Sequence, residues 1–147
     1  MDAHIEGVYA AETPSGPIAI VTLGVEAGDD VLPIFVGIEE GTSIARGLDA
    51  ADIGRPLTHD LLLDIVEELG GRVNRVVVSD LDDGTYIADL HVTTPRDDVV
   101  VDARPSDSLA LAARTNVPIE VEEPVFEAGR ESAEEYDELE DLRGVTG

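Results

Sequence analysis

The sequence predicts a single α+β domain, in which two to three helices pack against a mostly antiparallel or mixed sheet. Two observations carry this prediction: short β-branched runs are separated by tight-turn residues, and other segments repeat apolar residues at helical spacing. A chain of 147 residues, of which 43% are hydrophobic, has the size of one domain and can bury one sizeable core.

The predicted strands are runs rich in Val, Ile and Thr that turn residues divide. The Asp82-Asp83-Gly84 segment has the chemistry of a tight hairpin, and a second turn is expected at 27–30. Pro33 interrupts the third run and therefore favours a sheet edge or a bulge. We expect strands at residues 3–11, 17–23, 31–36, 73–81, 85–92, 98–103 and 119–121, with the third and the last as possible edges for pairing.

Helices are predicted at 38–48, at 58–69 and from Pro105 to Arg114, with a loop at 49–56 between the first two. Gly41 in the first helix costs about 1 kcal/mol relative to Ala. The second helix starts with Thr58 as its N-cap and Asp60 in its first turn, where the helix dipole favours an acid. The stripe of this helix that is expected to face the core consists of Leu61, Leu62, Ile65, Val66 and Leu69.

The composition changes after Glu122, where acidic residues dominate and apolar residues become sparse. The first part of this segment can dock as a helix. We expect residues 1–128 to form the domain and residues 129–147 to form a solvated acidic tail.

The charge balance is extreme, because 33 acidic residues face 9 basic ones and every basic residue is Arg. A net charge of −24 repels itself in dilute buffer. At 1 M salt the Debye length is about 3 Å, so that repulsion is screened. The pattern is typical of a halophilic protein, with an acidic protein from an ordinary cell as the alternative. An acidic surface also argues against tight general binding to nucleic acid, because phosphate binding relies on Lys and Arg.

The chain contains no Cys, which excludes a disulfide framework and a thiolate metal site. The first ten residues have neither a basic region nor a long apolar run, and no 18-residue apolar stretch occurs elsewhere. We therefore expect a soluble, cytoplasmic protein that does not associate with membranes.

The densest polar motif lies at the predicted junction of the strand at 98–103 with the following helix. Asp102 and Asp107 flank Arg104 there, and two carboxylates can hold Mg²⁺ or Mn²⁺ while Arg clamps a phosphate. This pattern predicts catalytic roles for all three residues and metal binding by the two acids. The alternative is structural: Asp107 interacts with the helix dipole, and Arg104 pairs with an acid to fix the turn.

A second candidate is the pair His59-Asp60 at the start of a predicted helix. His59 can serve as a general base, because imidazole titrates near neutrality. It can equally be an exposed residue, with Asp60 supporting the helix dipole. Glu39 can join the same site. The acids at 80–83 are better explained by hairpin chemistry than by metal binding, and the sequence shows no Ser/His/Asp triad spacing and no glycine-rich phosphate loop.

Three segments together, in this order and spacing, resemble the bifunctional nuclease family. They are LPIFVG at 32–37 followed by Glu39, RPLTHDLL at 55–62, and VDARPSDSLALA at 101–112. The resemblance covers roughly residues 5–128 and implies an α+β domain, self-association and activity on both DNA and RNA. The chain departs from the family pattern at Gly41, where a small helix former is expected, and in having no Lys.

Two functions therefore follow as expectations. The first is a nuclease of low sequence specificity that hydrolyses RNA and DNA with the help of Mg²⁺ or Mn²⁺. The second is a non-enzymatic oligomeric module that binds a small anionic ligand or a protein partner. Under either function, we expect the chain to form a homo-oligomer.

Overall fold

The computed structural model describes residues 1–26, 28–50 and 56–143, which form one mixed sheet and four α-helices. The strands are β1 (Asp2–Thr13), β2 (Gly16–Val25), β3 (Asp30–Gly37), β4 (Arg72–Asp82), β5 (Thr85–Thr93), β6 (Asp98–Ala103), β7 (Ile119–Val121), β8 (Glu131–Ser132) and β9 (Glu140–Asp141). The helices are α1 (Ile38–Asp49), α2 (Thr58–Glu68), α3 (Pro105–Thr115) and α4 (Glu123–Gly129). The expected α+β architecture is confirmed, and the fourth helix is the one that the segment after Glu122 was expected to allow.

The strand order is β6-β5-β4-β7-β1-β2-β3-β8, and β9 pairs with β1. Every pairing is antiparallel except that between β4 and β7. Pro33 lies opposite Thr22 of β2, while β8 pairs with β3 only at Asp30 and Val31. Because β8 does not reach Pro33, this part of β3 is an edge of the sheet within the described residues, as the sequence predicted. The expectation of an edge position for residues 119–121 is wrong, because β7 lies between β4 and β1.

The main core lies between the sheet and the helices α1 and α3, whose inner faces are almost completely buried. In α3 the run from Leu109 to Ala112 is buried, as its apolar centre predicts. Gly41 is explained by the same packing, because a Cβ atom there would collide with the Cβ atom of Ala19 in β2. The absence of a side chain lets α1 lie directly on the sheet, which offsets the low helix propensity of glycine.

Helix α2 departs from prediction in both its cap and its buried face. The N-cap is Leu57 rather than Thr58, and its N–H donates to Asp60 Oδ2 at 3.0 Å. No residue of α2 is fully buried, and its inward residues are Leu63 and Val66. The predicted core-facing residues Leu61, Leu62 and Ile65, and Leu69 just beyond the helix, are exposed. The helix is turned so that its polar first turn, rather than Leu61, Leu62 and Ile65, meets α1 and α3.

The hairpin and the strand-to-helix junction follow the sequence closely. Asp83 and Gly84 have φ values of 51° and 82°, as a tight hairpin turn requires. Arg104 is extended, and Pro105 then occupies the first turn of α3, where its missing N–H costs nothing. Asn116 ends the helix in the left-handed conformation. This junction places Arg104 and Asp107 side by side at the start of a rigid helix.

The acidic C-terminal segment packs on the sheet as far as residue 143. Helix α4 docks as expected, with Val125 and Phe126 buried in the core. Further on, Tyr136 is buried and its ring stacks on that of Tyr9 at a centroid distance of 6.3 Å. Two short strands and a turn of 3-10 helix lie within 131–142, where most side chains are exposed, and the division into a domain at 1–128 and an acidic tail at 129–147 stays a prediction.

Parts of three sequence motifs lie outside the described residues: Ala27 of the turn at 27–30, most of the loop at 49–56, and Arg55 of the second family segment. Among the helices that the structure does describe, none has the length and apolar character needed to cross a bilayer.

Candidate active site

The candidate active site lies where the first turns of α2 and α3 meet the middle of α1. Side-chain hydrogen bonds join these three helices, although they are far apart in the sequence. The structure brings together four residues that the sequence predicted for the site, namely His59, Asp60, Arg104 and Asp107, and adds Ser43 and Arg114 to them.

His59 is held at both ring nitrogens. Its Nε2 lies 2.9 Å from Asp107 Oδ1, and its Nδ1 lies 2.7 Å from Ser43 Oγ. An ionised carboxylate only accepts hydrogen bonds, so Nε2 carries the proton and donates to Asp107. In a neutral imidazole Nδ1 is then the acceptor, and the Ser43 hydroxyl donates to it. The side chain of His59 is 12% exposed, so the ring is fixed in orientation but still reachable from the surface.

Arg114 fixes the geometry around Ser43 from the inner side. Its side chain is only 8% exposed, and its Nε donates to Asp60 Oδ1 at 2.6 Å. Its Nη1 donates to the carbonyl oxygens of Ser43 and Ala110, and its Nη2 donates to Ser43 Oγ at 3.1 Å. One buried guanidinium therefore ties α1, α2 and α3 together, and Asp60 supplies its counter-charge.

Arg104 lies on the outer side of the site, and its side chain is 65% exposed. Its Nε and Nη2 donate to the two oxygens of Asp107 at 2.9 and 3.2 Å. The third nitrogen, Nη1, is 3.8 Å from Glu40 and keeps an open side toward solvent. The salt bridge holds the guanidinium in place, and Nη1 is the atom that can meet a bound anion.

Both acids of the network are ionised at neutral pH. Burial opposes the charge of Asp107, but the hydrogen bonds from Arg104 and His59 outweigh it and lower the pKa of the carboxyl. Burial likewise opposes the charge of Asp60, and the hydrogen bonds from Arg114 and the Leu57 N–H again lower the pKa. At neutral pH the Asp107 carboxylate that contacts His59 is therefore charged, and it can stabilise the imidazolium that forms when His59 accepts a proton.

A surface depression of about 390 Å³ opens onto the network. Its wall includes Ser43, His59, Arg104 and Asp107, and also Glu39 and Glu40. A second depression of about 300 Å³ adjoins it at Arg104 and Glu40, and a third of about 380 Å³ adjoins it at Ser43. The first depression, which holds the network, thus shares lining residues with each of the other two. Glu39 lines this depression, but no hydrogen bond links its side chain to the network in the described residues, and its participation stays a prediction.

Asp102 stands apart from the others. It pairs with Asp89 in the β5–β6 ladder, whereas Ala88, Leu90 and Ala103 of the neighbouring pairs pack in the core. Because side chains alternate along a strand, Asp102 faces the opposite side of the sheet from the core. Within the described chain its carboxylate makes no hydrogen bond or ion pair with Arg104 or Asp107. A catalytic or metal-binding role for Asp102 stays a prediction.

The described residues do not fit a resident metal ion. No group of three His, Asp or Glu side chains in the described ranges has the arrangement of a metal site. Both oxygens of Asp107 are engaged by His59 and Arg104, so this carboxylate has little capacity left for a cation. The acids at 80–83 serve the hairpin, with Asp80 accepting from the Leu81 N–H at 2.8 Å.

The sequence signals did not reveal Ser43 or Arg114. Ser43 lies 16 residues before His59, inside a helix whose pattern shows only its buried face. Arg114 reads as an ordinary basic residue in the last turn of α3. The sequence shows no Ser/His/Asp triad spacing, yet the fold joins Ser43, His59 and Asp107 by consecutive hydrogen bonds.

Comparison with known proteins agrees with the family resemblance that three sequence segments indicate. A profile of the bifunctional nuclease domain matches residues 21–134. An uncharacterized protein of Mycobacterium tuberculosis (strain ATCC 25618 / H37Rv) is 38% identical over 139 residues, which cover 93% of this chain and 81% of that protein. Bifunctional nuclease 2 of Arabidopsis thaliana is 30% identical over 109 residues, covering 71% of this chain and 33% of that protein. Bifunctional nuclease 2 of Oryza sativa subsp. japonica is 28% identical over 111 residues, covering 73% of this chain and 34% of that protein.

This chain therefore spans about a third of the plant nucleases and most of the mycobacterial protein. The matched region contains β3, all of α1, α2 and α3, and hence every residue of the hydrogen-bonded network. Because the domain profile matches residues 21–134, which is most of the chain, this chain belongs to the bifunctional nuclease domain family.

Proposed function

We propose that this protein is a cytoplasmic nuclease that hydrolyses phosphodiester bonds of RNA and DNA with low sequence specificity. The observation that carries the proposal is the position of His59, which faces a surface depression and has the Asp107 carboxylate at 2.9 Å from Nε2. The domain family and the names of the plant relatives support this choice of substrate.

Each residue of the network has a distinct role in the proposed reaction. His59 accepts the proton of the attacking group at Nδ1, which has its lone pair free of the Asp107 bond. Asp107 selects this tautomer and stabilises the imidazolium that forms. Arg104 contacts the phosphate through Nη1 and stabilises the charge that develops on its oxygens. Asp60 acts indirectly, because it holds Arg114 and with it the start of α2.

The predicted Mg²⁺ or Mn²⁺ remains part of the proposal as an ion carried by the substrate. Glu39, Glu40 and Asp107 give the depression a negative wall that Arg104 alone does not balance. Mg²⁺ in many proteins is held by one or two carboxylates together with substrate phosphates rather than by a full protein cage. Such an ion would reduce the repulsion between the phosphodiester and this wall.

Low sequence specificity fits the lining of the neighbouring depression. Phe35 is 62% exposed and lines this depression together with Tyr86 and Arg104. A single aromatic face can stack against any base, because every base has a π-face. The acidic chain has few basic residues with which to follow a phosphate backbone, so binding depends on these local contacts.

The direct test is cleavage of single-stranded RNA and DNA by the purified wild-type chain in 2 M KCl. Parallel reactions contain Mg²⁺, Mn²⁺ or EDTA, and a His59→Gln preparation purified in the same way reports contaminating nucleases. We expect cleavage that the variant loses. Wild type that cuts no faster than the variant under every condition contradicts the proposal.

A second candidate function rests on exposed apolar surface. Leu61, Leu62 and Ile65 of α2 are 42–51% exposed, and Val100 of β6 is 58% exposed at one end of the strand order. An apolar edge strand is a template for pairing with another chain. We propose that the protein is a homo-oligomer, either as the nuclease or as a module without enzymatic activity. Light scattering in 2 M KCl that returns the chain mass of 15.6 kDa would contradict self-association.

A further inference from the structure

The Ser43 hydroxyl is the feature of this site that neither the family match nor the proposed roles explain. It lies on the wall shared by two of the depressions, and it is half-buried rather than sealed in the core. Its Oγ atom contacts His59 Nδ1 at 2.7 Å and Arg114 Nη2 at 3.1 Å. A serine that only packs within its own helix does not require hydrogen-bond partners on two other helices, as Ser43 has in His59 of α2 and Arg114 of α3.

The proton positions around Ser43 follow from the partners themselves. A guanidinium has no acceptor, so Arg114 donates to Oγ and the hydroxyl hydrogen is left to point elsewhere. The ionised Asp107 accepts a hydrogen bond from Nε2–H of His59, which leaves Nδ1 as the acceptor for the Ser43 hydroxyl hydrogen. The order carboxylate, imidazole, hydroxyl is that of an activated nucleophile with its base and the group that orients the base.

Arg114 adds a feature that favours the deprotonated hydroxyl. Its guanidinium is nearly buried and carries a permanent positive charge 3.1 Å from Oγ. A fixed cation at that distance stabilises the alkoxide more than the neutral alcohol. Asp60 balances the cation from the other side, since it binds Nε at 2.6 Å and not the nitrogen that contacts Ser43.

We infer that Ser43 is the nucleophile of this site and forms a covalent phosphoserine diester during phosphodiester hydrolysis. This inference deepens the proposed nuclease function and rests on it. In the first step the Ser43 proton moves to His59 Nδ1, Oγ bonds to phosphorus, and the P–O bond opposite Oγ breaks. The leaving oxygen takes a proton from a water molecule in the open depression, which leaves hydroxide.

The second step releases the enzyme with water as the only co-reactant. A water molecule attacks phosphorus from the side opposite Oγ, the P–Oγ bond breaks, and His59 returns its proton to Oγ. The proton lost by the attacking water neutralises the hydroxide from the first step. One water molecule is consumed for each bond hydrolysed, and the two displacements together retain the configuration at phosphorus. A direct attack by water on the substrate would invert it.

The first experiment uses a fluorophosphonate on the wild-type chain in 2 M KCl, because Oγ of an activated serine displaces fluoride from such reagents. Mass spectrometry of the digested protein locates the adduct. We expect one adduct per chain on Ser43, its loss in His59→Gln, and its retention in the exposed control Ser15→Ala. Absence of labelling, or labelling spread over other serines, overturns the inference. Because the adduct is read on wild type, this result does not depend on the folding of a variant.

The second experiment separates this inference from the proposed function. A chiral phosphorothioate diester is cleaved in ¹⁸O-labelled water, and the configuration of the product is determined. Retention supports a covalent Ser43 intermediate, with kcat lowered about 100-fold or more in Ser43→Ala. Inversion indicates direct attack by water, which is compatible with the proposed nuclease function but overturns the role of Ser43 as nucleophile. If Ser43 is labelled specifically but the protein cuts no nucleic acid, the result supports an activated serine and contradicts the proposed nuclease function.

Discussion

His59 donates from Nε2 to the carboxylate of Asp107 across 2.9 Å, and this bond spans 48 residues of sequence. The bond determines which nitrogen of His59 is free to accept a proton. It also shows why the two family segments at 55–62 and 101–112 belong together, since one supplies the imidazole and the other its carboxylate. The remaining network supports this pair, with Arg104 on the solvent side and Arg114 on the core side.

The Asp60→Asn variant is expected to destabilise the fold. It removes the charge that faces Arg114, whose side chain is 8% exposed, and leaves a buried guanidinium without its counter-ion. The free energy of unfolding should fall by about 1–3 kcal/mol. Urea denaturation in 2 M KCl measures it, with the exposed Asp64→Asn in the same helix as the control. Equal stability of the two variants would contradict the role of Asp60.

Acid should weaken the network over a defined range of pH. The pKa values of Asp60 and Asp107 lie below the ordinary 3.8 in the folded protein, so the stability they contribute is complete above that value. It is lost as the pH falls through the folded pKa values. The gap in unfolding free energy between wild type and the Asp60→Asn, Asp107→Asn double variant should therefore shrink below about pH 4. A gap that stays constant from neutral pH down to pH 2.5 would disagree.

Phe35 should affect substrate binding and not the chemical step. Loss of an aromatic ring that stacks on one base removes about 1–3 kcal/mol, which corresponds to roughly a 5-fold to 150-fold rise in KM. We expect Phe35→Ala to raise KM on single-stranded RNA and to leave kcat nearly unchanged. The control Leu69→Ala removes another exposed apolar side chain, one that lines none of the three depressions around the network. Similar KM values in both variants would rule out stacking on Phe35.

Salt should stabilise the folded chain. A net charge of −24 without any Lys creates repulsion that dilute buffer does not screen. The melting temperature should rise as KCl is increased from 0.1 to 3 M. A matched series with sodium sulfate at equal ionic strength separates charge screening from the general strengthening of apolar burial. A flat or falling melting temperature in KCl would remove the argument for adaptation to high salt.

Local sequence signals predicted the elements whose structure is decided locally. The bounds of β6 and β7 match their prediction, and α3 differs by a single residue, because Pro105 starts the helix and Asn116 ends it. Arg104 and Asp107 were found by the same reasoning, since they lie three residues apart at this junction. The structural alternative, that Arg104 pairs with an acid to fix the turn, agrees with the observed salt bridge, and the catalytic role of the two residues stays a prediction.

Features that depend on how helices pack together were not predicted. The apolar stripe of α2 pointed to the core, but the bonds of His59 and Asp60 to α3 turn the leucines outward. The contact between Ser43 and His59 requires α1 and α2 to cross at one place, and neither segment encodes that crossing locally. Asp102 lies near Arg104 in the sequence, yet the alternation of β6 directs it to the other face.

The most direct test of the account compares kcat for single-stranded RNA between wild type and Asp107→Asn in 2 M KCl. An amide cannot hold the Nε2 tautomer of His59 as a carboxylate does, nor stabilise the imidazolium that forms. We predict a loss of about two orders of magnitude or more in kcat, with circular dichroism and melting temperature confirming a folded variant. The exposed Asp64→Asn should keep wild-type activity. A folded Asp107→Asn protein that cuts RNA as fast as wild type would contradict the assignment of this site.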